Sequence, residues 1–124
     1  MKVWMLVISA VLLPGLLVGQ GLDPKGISKP LASSWPTYNG DYSGRRFSRL
    51  SQINGANVKN LTLAWSYDSR TTPIKATPLM VGGVVYLSGL DHAWAIDART
   101  GRMLWQWQTK TRGGTHIGNR GMAM

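Results

Sequence analysis

The chain is 124 residues long, the length of one small domain, and it contains no cysteine. Disulfides, thiol nucleophiles, cysteine-ligated metals and lipid attachment through a cysteine are therefore excluded within it. Fourteen Lys and Arg against five Asp and Glu give a formal charge of +9. The basic residues are scattered, however, with the densest groups at Arg45, Arg46, Arg49 and at Lys110, Arg112. No basic run alternates with aromatics, so the charge does not point to a nucleic-acid partner.

Residues 1–21 have the layout of a secretory signal peptide. Lys2 supplies a positive start, residues 3–18 (VWMLVISAVLLPGLLV) are apolar, and Gly19 and Gly21 place small residues two apart. A spanning helix needs about 20 apolar residues, and this run is shorter and interrupted by Pro14-Gly15. An uncleaved anchor and a buried core helix remain the alternatives. The expected destination is the periplasm or the exterior.

Residues 22–50 form an N-terminal arm. Residues 22–34 (LDPKGISKPLASS) hold two prolines, glycine and serines and read as a linker. Residues 35–50 (WPTYNGDYSGRRFSRL) mix aromatics with turn residues and suit a loop packed on a larger body. Residues 53–61 are expected to form a short helix with Asn54 as its N-cap.

Every later signal is strand. Residues 63–67 (LAWSY) form one run, and residues 77–88 form two runs around Gly82-Gly83, a hairpin signal. Residues 93–97 (AWAID) and 103–108 (MLWQWQ) flank a second turn in which Gly101 takes the left-handed conformation. A meander of this size and spacing fits one propeller blade. One blade cannot cover its own two faces. Six tryptophans are present, and each large aromatic buries about 150–250 Å².

Ala95-Ile96-Asp97-Ala98-Arg99-Thr100-Gly101-Arg102-Met103-Leu104-Trp105 resembles the tryptophan-docking motif of quinoprotein propellers. Asp97 and Thr100 can bond backbone groups inside the turn, and Trp105 is expected to stack against the next blade. Other segments resemble the opening of the PQQ-dependent alcohol dehydrogenases, in that family's order. They are Trp35-Pro36-Thr37-Tyr38-Asn39-Gly40-Asp41-Tyr42, Asn57-Val58-Lys59-Asn60-Leu61, Ala76-Thr77-Pro78-Leu79 and Gly118-Asn119-Arg120-Gly121. The resemblance implies an all-β fold, with residues 51–124 the first part of an eight-bladed β-propeller. It further implies pyrroloquinoline quinone (PQQ), with Ca²⁺ or a lanthanide, in the complete protein, and none bound by this chain alone. The implied reaction is alcohol or sugar oxidation by hydride transfer to the quinone, with a cytochrome c or a quinone as electron acceptor.

The resemblance also assigns site residues. Arg120 aligns with the arginine that contacts the quinone, whose three carboxylates suit charge-assisted, often bidentate bonds. Asn119 is a weaker candidate, expected to hold the loop. Lys75 stands where many relatives carry a glutamate facing the quinone; it either pairs with a quinone carboxylate or points to solvent. Gly114-Thr115 stand where those enzymes have adjacent cysteines, so cofactor binding is expected to be modified or lost. His116 and His92 read as a loop and a structural residue, and two isolated histidines make no metal site. No catalytic or metal-ligating residue is assigned.

The expected function is thus the N-terminal fragment of an exported PQQ-dependent dehydrogenase, inactive alone and partnered by a chain carrying the missing blades. Residues 122–124 read as the start of a further strand, suggesting a truncated or split reading frame. The alternative is a non-enzymatic propeller scaffold of the kind that assists outer-membrane protein assembly.

Overall fold

The computed structural model describes residues 23–29, 31–70, 74–110 and 120–123. The expected signal peptide, Asn119, Gly114-Thr115 and His116 lie outside the described residues. Among the described residues, no helix is long and apolar enough to cross a membrane.

Four strands, β1 (Leu79–Val81), β2 (Val84–Ser88), β3 (His92–Asp97) and β4 (Met103–Gln108), form one antiparallel meander in chain order. The β1–β2 turn is Gly82-Gly83, with φ of 59° and 78°. Both values lie in the left-handed region that a type I′ hairpin demands, and glycine enters it without steric cost. The β2–β3 register pairs Tyr86 with Ala95 and Leu87 with Trp94. The β3–β4 register pairs Ala95 with Trp105, then skips Leu104 to pair Ile96 with Met103. That irregularity bends β4 beside the turn, as a bulge does.

The core lies on β3. Trp94, Ala95 and Ile96 are buried together with Leu79, Leu31 and the hydroxyl-bearing Ser88. β4 has no buried residue, and Trp105 and Trp107 remain 44% and 57% exposed. β4 is therefore an edge strand with uncovered aromatics, as expected of a single blade lacking a neighbour.

The N-terminal arm packs on the opposite edge. Trp35 forms a two-way backbone bridge with Met80, donating at 2.6 Å and accepting at 2.9 Å. Gly40, at φ 88°, lies against Leu31 and the Trp35 ring, so that a Cβ there would overlap Leu31 Cδ1. Packing is thus shown at Trp35 and Gly40, while Tyr42, Phe47 and Leu50, for which a loop packed on a larger body was expected, are exposed.

Four expectations need correction. Residues 63–67 are not a strand: they run extended beside the sheet and pair with no other strand. Their anchorage comes from side chains, described below. The helix expected over residues 53–61 shrinks to a 3-10 turn, Val58–Asn60. Asn54 does not cap it; its side chain accepts from Ala56 N, and its own N–H donates to Asn57 Oδ1. These local side-chain bonds offer the backbone an alternative to helix. The linker contains one helical turn, α1 (Pro24–Ile27), whose Asp23 cap accepts from Lys25 N and whose first residue is proline. That cap and proline are a helix-start signal too short to stand out. Residues 121–123 carry no strand.

Candidate functional site

The Asp97–Gly101 turn is built around one carboxylate. Asp97 Oδ1 accepts from Thr100 Oγ1 at 2.8 Å, Thr100 N at 2.8 Å and Arg99 N at 3.0 Å. The Thr100 hydroxyl bond, followed by the Thr100 and Arg99 amides and the Arg99 charge, holds the Asp97 carboxyl below the usual carboxylate range. Gly101 N donates to Asp97 O, and Ala98 N donates to Gly83 O, so the two hairpin ends are tied together.

Trp65 occupies this turn. Its Nε1 donates to Ala98 O at 3.0 Å, and its ring covers Gly101, whose φ is 72°. Two residues on, Tyr67 meets Trp94 edge-on at 6.5 Å between centroids. The Tyr67 hydroxyl also donates to Met103 Sδ at 3.3 Å. Burial, then the Asp68 charge, pushes the Tyr67 phenol up. The motif turn is thus already filled, by a tryptophan that precedes the blade. Trp105, the motif's own tryptophan, contacts Tyr86 at 6.3 Å and otherwise faces outward.

The expected quinone contacts are only partly visible. Arg120 and Lys75 are both exposed. Arg120 carries the donors a carboxylate requires, so its chemistry fits the cofactor. Neither Arg120 nor Lys75 lines the cavity of about 470 Å³ found at the end of the sheet. No group of three or more metal-ligating side chains occurs among the described residues.

That cavity lies where the β2–β3 turn meets the segment after β4. Asp91, His92, Trp107, Thr109, Gly121 and Met122 line it. Asp91 Oδ1 and His92 Nδ1 are 2.5 Å apart, and the imidazole stacks on Trp94 at 5.3 Å with a 5° interplanar angle. Thr109 N donates to Asp91 O and Gly89 N to His92 O, each at 2.9 Å. Sequence reasoning treated His92 as structural, which the stacking supports, but missed its carboxylate partner and the cavity. The adjacent Asp-His pair at the start of β3 was the available signal.

A family model, the beta-propeller domain of glucose, ethanol and alcohol dehydrogenases that use PQQ, matches residues 35–124. The quinohemoprotein alcohol dehydrogenase of Comamonas testosteroni is 44% identical over 101 residues, covering 73% of this chain and 14% of that protein. Its crystal structure superposes with a TM-score of 0.64 over 70% of this chain. A 1-butanol dehydrogenase (cytochrome c) of Thauera butanivorans is 41% identical over 73 residues, covering 57% of this chain and 11% of that protein. A europium-containing methanol dehydrogenase superposes with a TM-score of 0.54 at 31% identity, over 64% of this chain and 15% of that one. The chain therefore spans about one seventh of the length of its relatives. The motif turn, the meander and the arm all agree with that match, and the chain belongs to the PQQ-dependent alcohol dehydrogenase β-propeller family.

Proposed function

We propose that this chain supplies the N-terminal arm and first blade of an exported quinoprotein dehydrogenase that oxidises alcohols or sugars. The observation that carries the reading is the family match from Trp35 through the Arg120-Gly121 segment, which includes the opening arm as well as the docking repeat. A scaffold reading accounts for the repeat alone. The apolar run of residues 3–18 behind Lys2 supports export.

Within that enzyme, Arg120 binds a carboxylate of the quinone and fixes its orientation. Asn119 holds the loop, and Lys75 adds a second cation on the approach to β1. When bound, PQQ supplies the hydride acceptor, a chemistry no side chain of this chain provides. The cytochrome named for the Thauera relative and the europium of the methanol dehydrogenase support a cytochrome c acceptor and a Ca²⁺ or lanthanide partner. The catalytic base and metal ligands come from the blades this chain does not include.

The chain alone is inactive. A charge-assisted hydrogen bond contributes about 1.5–3 kcal/mol, whereas micromolar binding requires about 8 kcal/mol. Two exposed cations fall short of that, and ordering their side chains subtracts further. Titration of the purified chain with PQQ and Ca²⁺, followed by a dye-linked alcohol assay, tests this. We expect neither sub-micromolar binding nor turnover; observing both would refute the reading.

A further inference from the structure

We propose that Met103 is a site of oxidation by peroxide and that its sulfoxide is captured by the Tyr67 hydroxyl, so that oxidation tightens the junction between residues 63–67 and β4. The proposal needs neither Arg120 nor the quinone, so it stands or falls separately from the proposed activity.

Access comes first. Met103 is 45% exposed, whereas the other described methionines, Met80 and Met122, are more covered. Met103 also lines a cavity of about 300 Å³ together with Tyr67, Asp68, Arg70 and Gln106. A water molecule takes up about 30 Å³ of liquid, so hydrogen peroxide and the oxygen it leaves behind both fit. In the step, a sulfur lone pair attacks one peroxide oxygen, the S–O bond forms and the O–O bond breaks. The proton on the transferred oxygen passes to the departing hydroxide, which leaves as water. Sulfur loses two electrons and the peroxide gains them.

The group that captures the product is already in place. The Tyr67 hydroxyl donates to Met103 Sδ at 3.3 Å, and the Tyr67 ring is positioned by its edge-on contact with the buried Trp94. Burial pushes the phenol up, so it remains a donor at neutral pH. A thioether sulfur is a weak acceptor, whereas a sulfoxide is polar and its oxygen accepts a full-strength hydrogen bond. The Met103 side chain has three rotatable bonds and is half exposed, so it can turn the new oxygen toward the hydroxyl. Residues 63–67 pair with no strand and are held through the side chains of Trp65 and Tyr67. A stronger bond at Tyr67 therefore bears directly on their anchorage. Methionine oxidation ordinarily disrupts packing; a stabilising oxidation is the mark of this arrangement.

The test treats the full chain with limiting hydrogen peroxide, follows each methionine by peptide mass spectrometry and records urea unfolding by tryptophan fluorescence. Met103 should oxidise several-fold faster than Met80 or Met122, and the oxidised chain should unfold at a higher urea midpoint than the reduced one. Met103→Leu, treated in the same way, should show no rise, which separates Met103 from the remaining methionines. Tyr67→Phe keeps the ring against Trp94 and removes the donor, so oxidation should no longer raise its midpoint. Met103→Gln carries an amide oxygen that accepts a full-strength bond; it should raise the midpoint without oxidant, and it serves as the second arm if Tyr67→Phe does not fold. Oxidation of Met103 no faster than of Met80 and Met122, a midpoint that falls or stays unchanged on oxidation, or an equal rise in Tyr67→Phe would each overturn the proposal.

Discussion

The indole of Trp65 lies so close over Gly101 that a methyl group on that glycine would sit 2.7 Å from Cδ2 and 2.8 Å from Cε3 and Cγ. Gly101 is also at φ 72°, where a side chain costs about 1–2 kcal/mol. Gly101→Ala therefore meets both strain and overlap, and should destabilise the blade by about 3 kcal/mol, read as a lower urea midpoint in dilute solution. Trp65→Ala removes the overlap. The double variant should be markedly less destabilised than the sum of the two single variants. Simple additivity would mean that the two residues are not coupled.

Acid should weaken the same turn. The folded-state pKa of Asp97 is depressed below the ordinary 3.8, first by the Thr100 hydroxyl bond. A depressed carboxylate contributes stability above its unfolded pKa and loses it as pH falls through the lower folded value. Stability attributable to Asp97 should thus be present from about pH 4 upward and fade below it. Thr100→Val removes the hydroxyl, so the Asp97 titration followed by carbon NMR should move upward toward the ordinary carboxylate value. An unmoved titration would show that the hydroxyl is not the main cause.

The β1–β2 turn separates two kinds of glycine replacement. Gly82→Asn creates Asn-Gly, which suits a type I′ turn, and should leave stability nearly unchanged. Gly83→Val forces a β-branched residue to φ 78° and should cost more than about 1 kcal/mol. Equal effects would contradict the turn assignment.

How much of this was legible beforehand depended on whether the signal was local. Gly82-Gly83 and the Asp97-to-Gly101 turn could be read because their bonds close within a few residues. Residues 63–67 looked like a strand because Leu63, Trp65 and Tyr67 alternate with smaller residues. In the structure two of these dock by their side chains, Trp65 on Ala98 and Gly101 and Tyr67 on Trp94, while Leu63 stays exposed. The partners are some 30 residues away, beyond the reach of any local pattern. The Asp91–His92 cavity escaped for the same reason, since Thr109 and Gly121 converge on it only after folding. The resemblance supplied what periodicity could not: the motif's role and the candidacy of Arg120.

The uncovered edge predicts solution behaviour. β4 has no charged residue and no proline between Met103 and Gln108, so it lacks the usual protection of an edge strand. Trp105→Lys and Trp107→Lys, singly and together, should raise the concentration at which the chain stays monomeric in sedimentation experiments. No gain would mean that β4 is not the associating surface.

The proposed role of this chain is one blade of a quinone-binding propeller, with Arg120 contributed to the cofactor. The most direct measurement is reconstitution: the full chain mixed with a polypeptide carrying the remaining blades of the Comamonas relative, PQQ and Ca²⁺, with quinone affinity and alcohol-dependent dye reduction recorded together. Quinone binding and turnover are expected only when both polypeptides are present, with affinity reduced at least tenfold by Arg120→Ala. That reduction corresponds to about 1.4 kcal/mol, near the lower limit for a charge-assisted contact. Assembly with turnover but no effect of Arg120→Ala would contradict the cofactor contact, and failure of the two polypeptides to associate would contradict the blade itself.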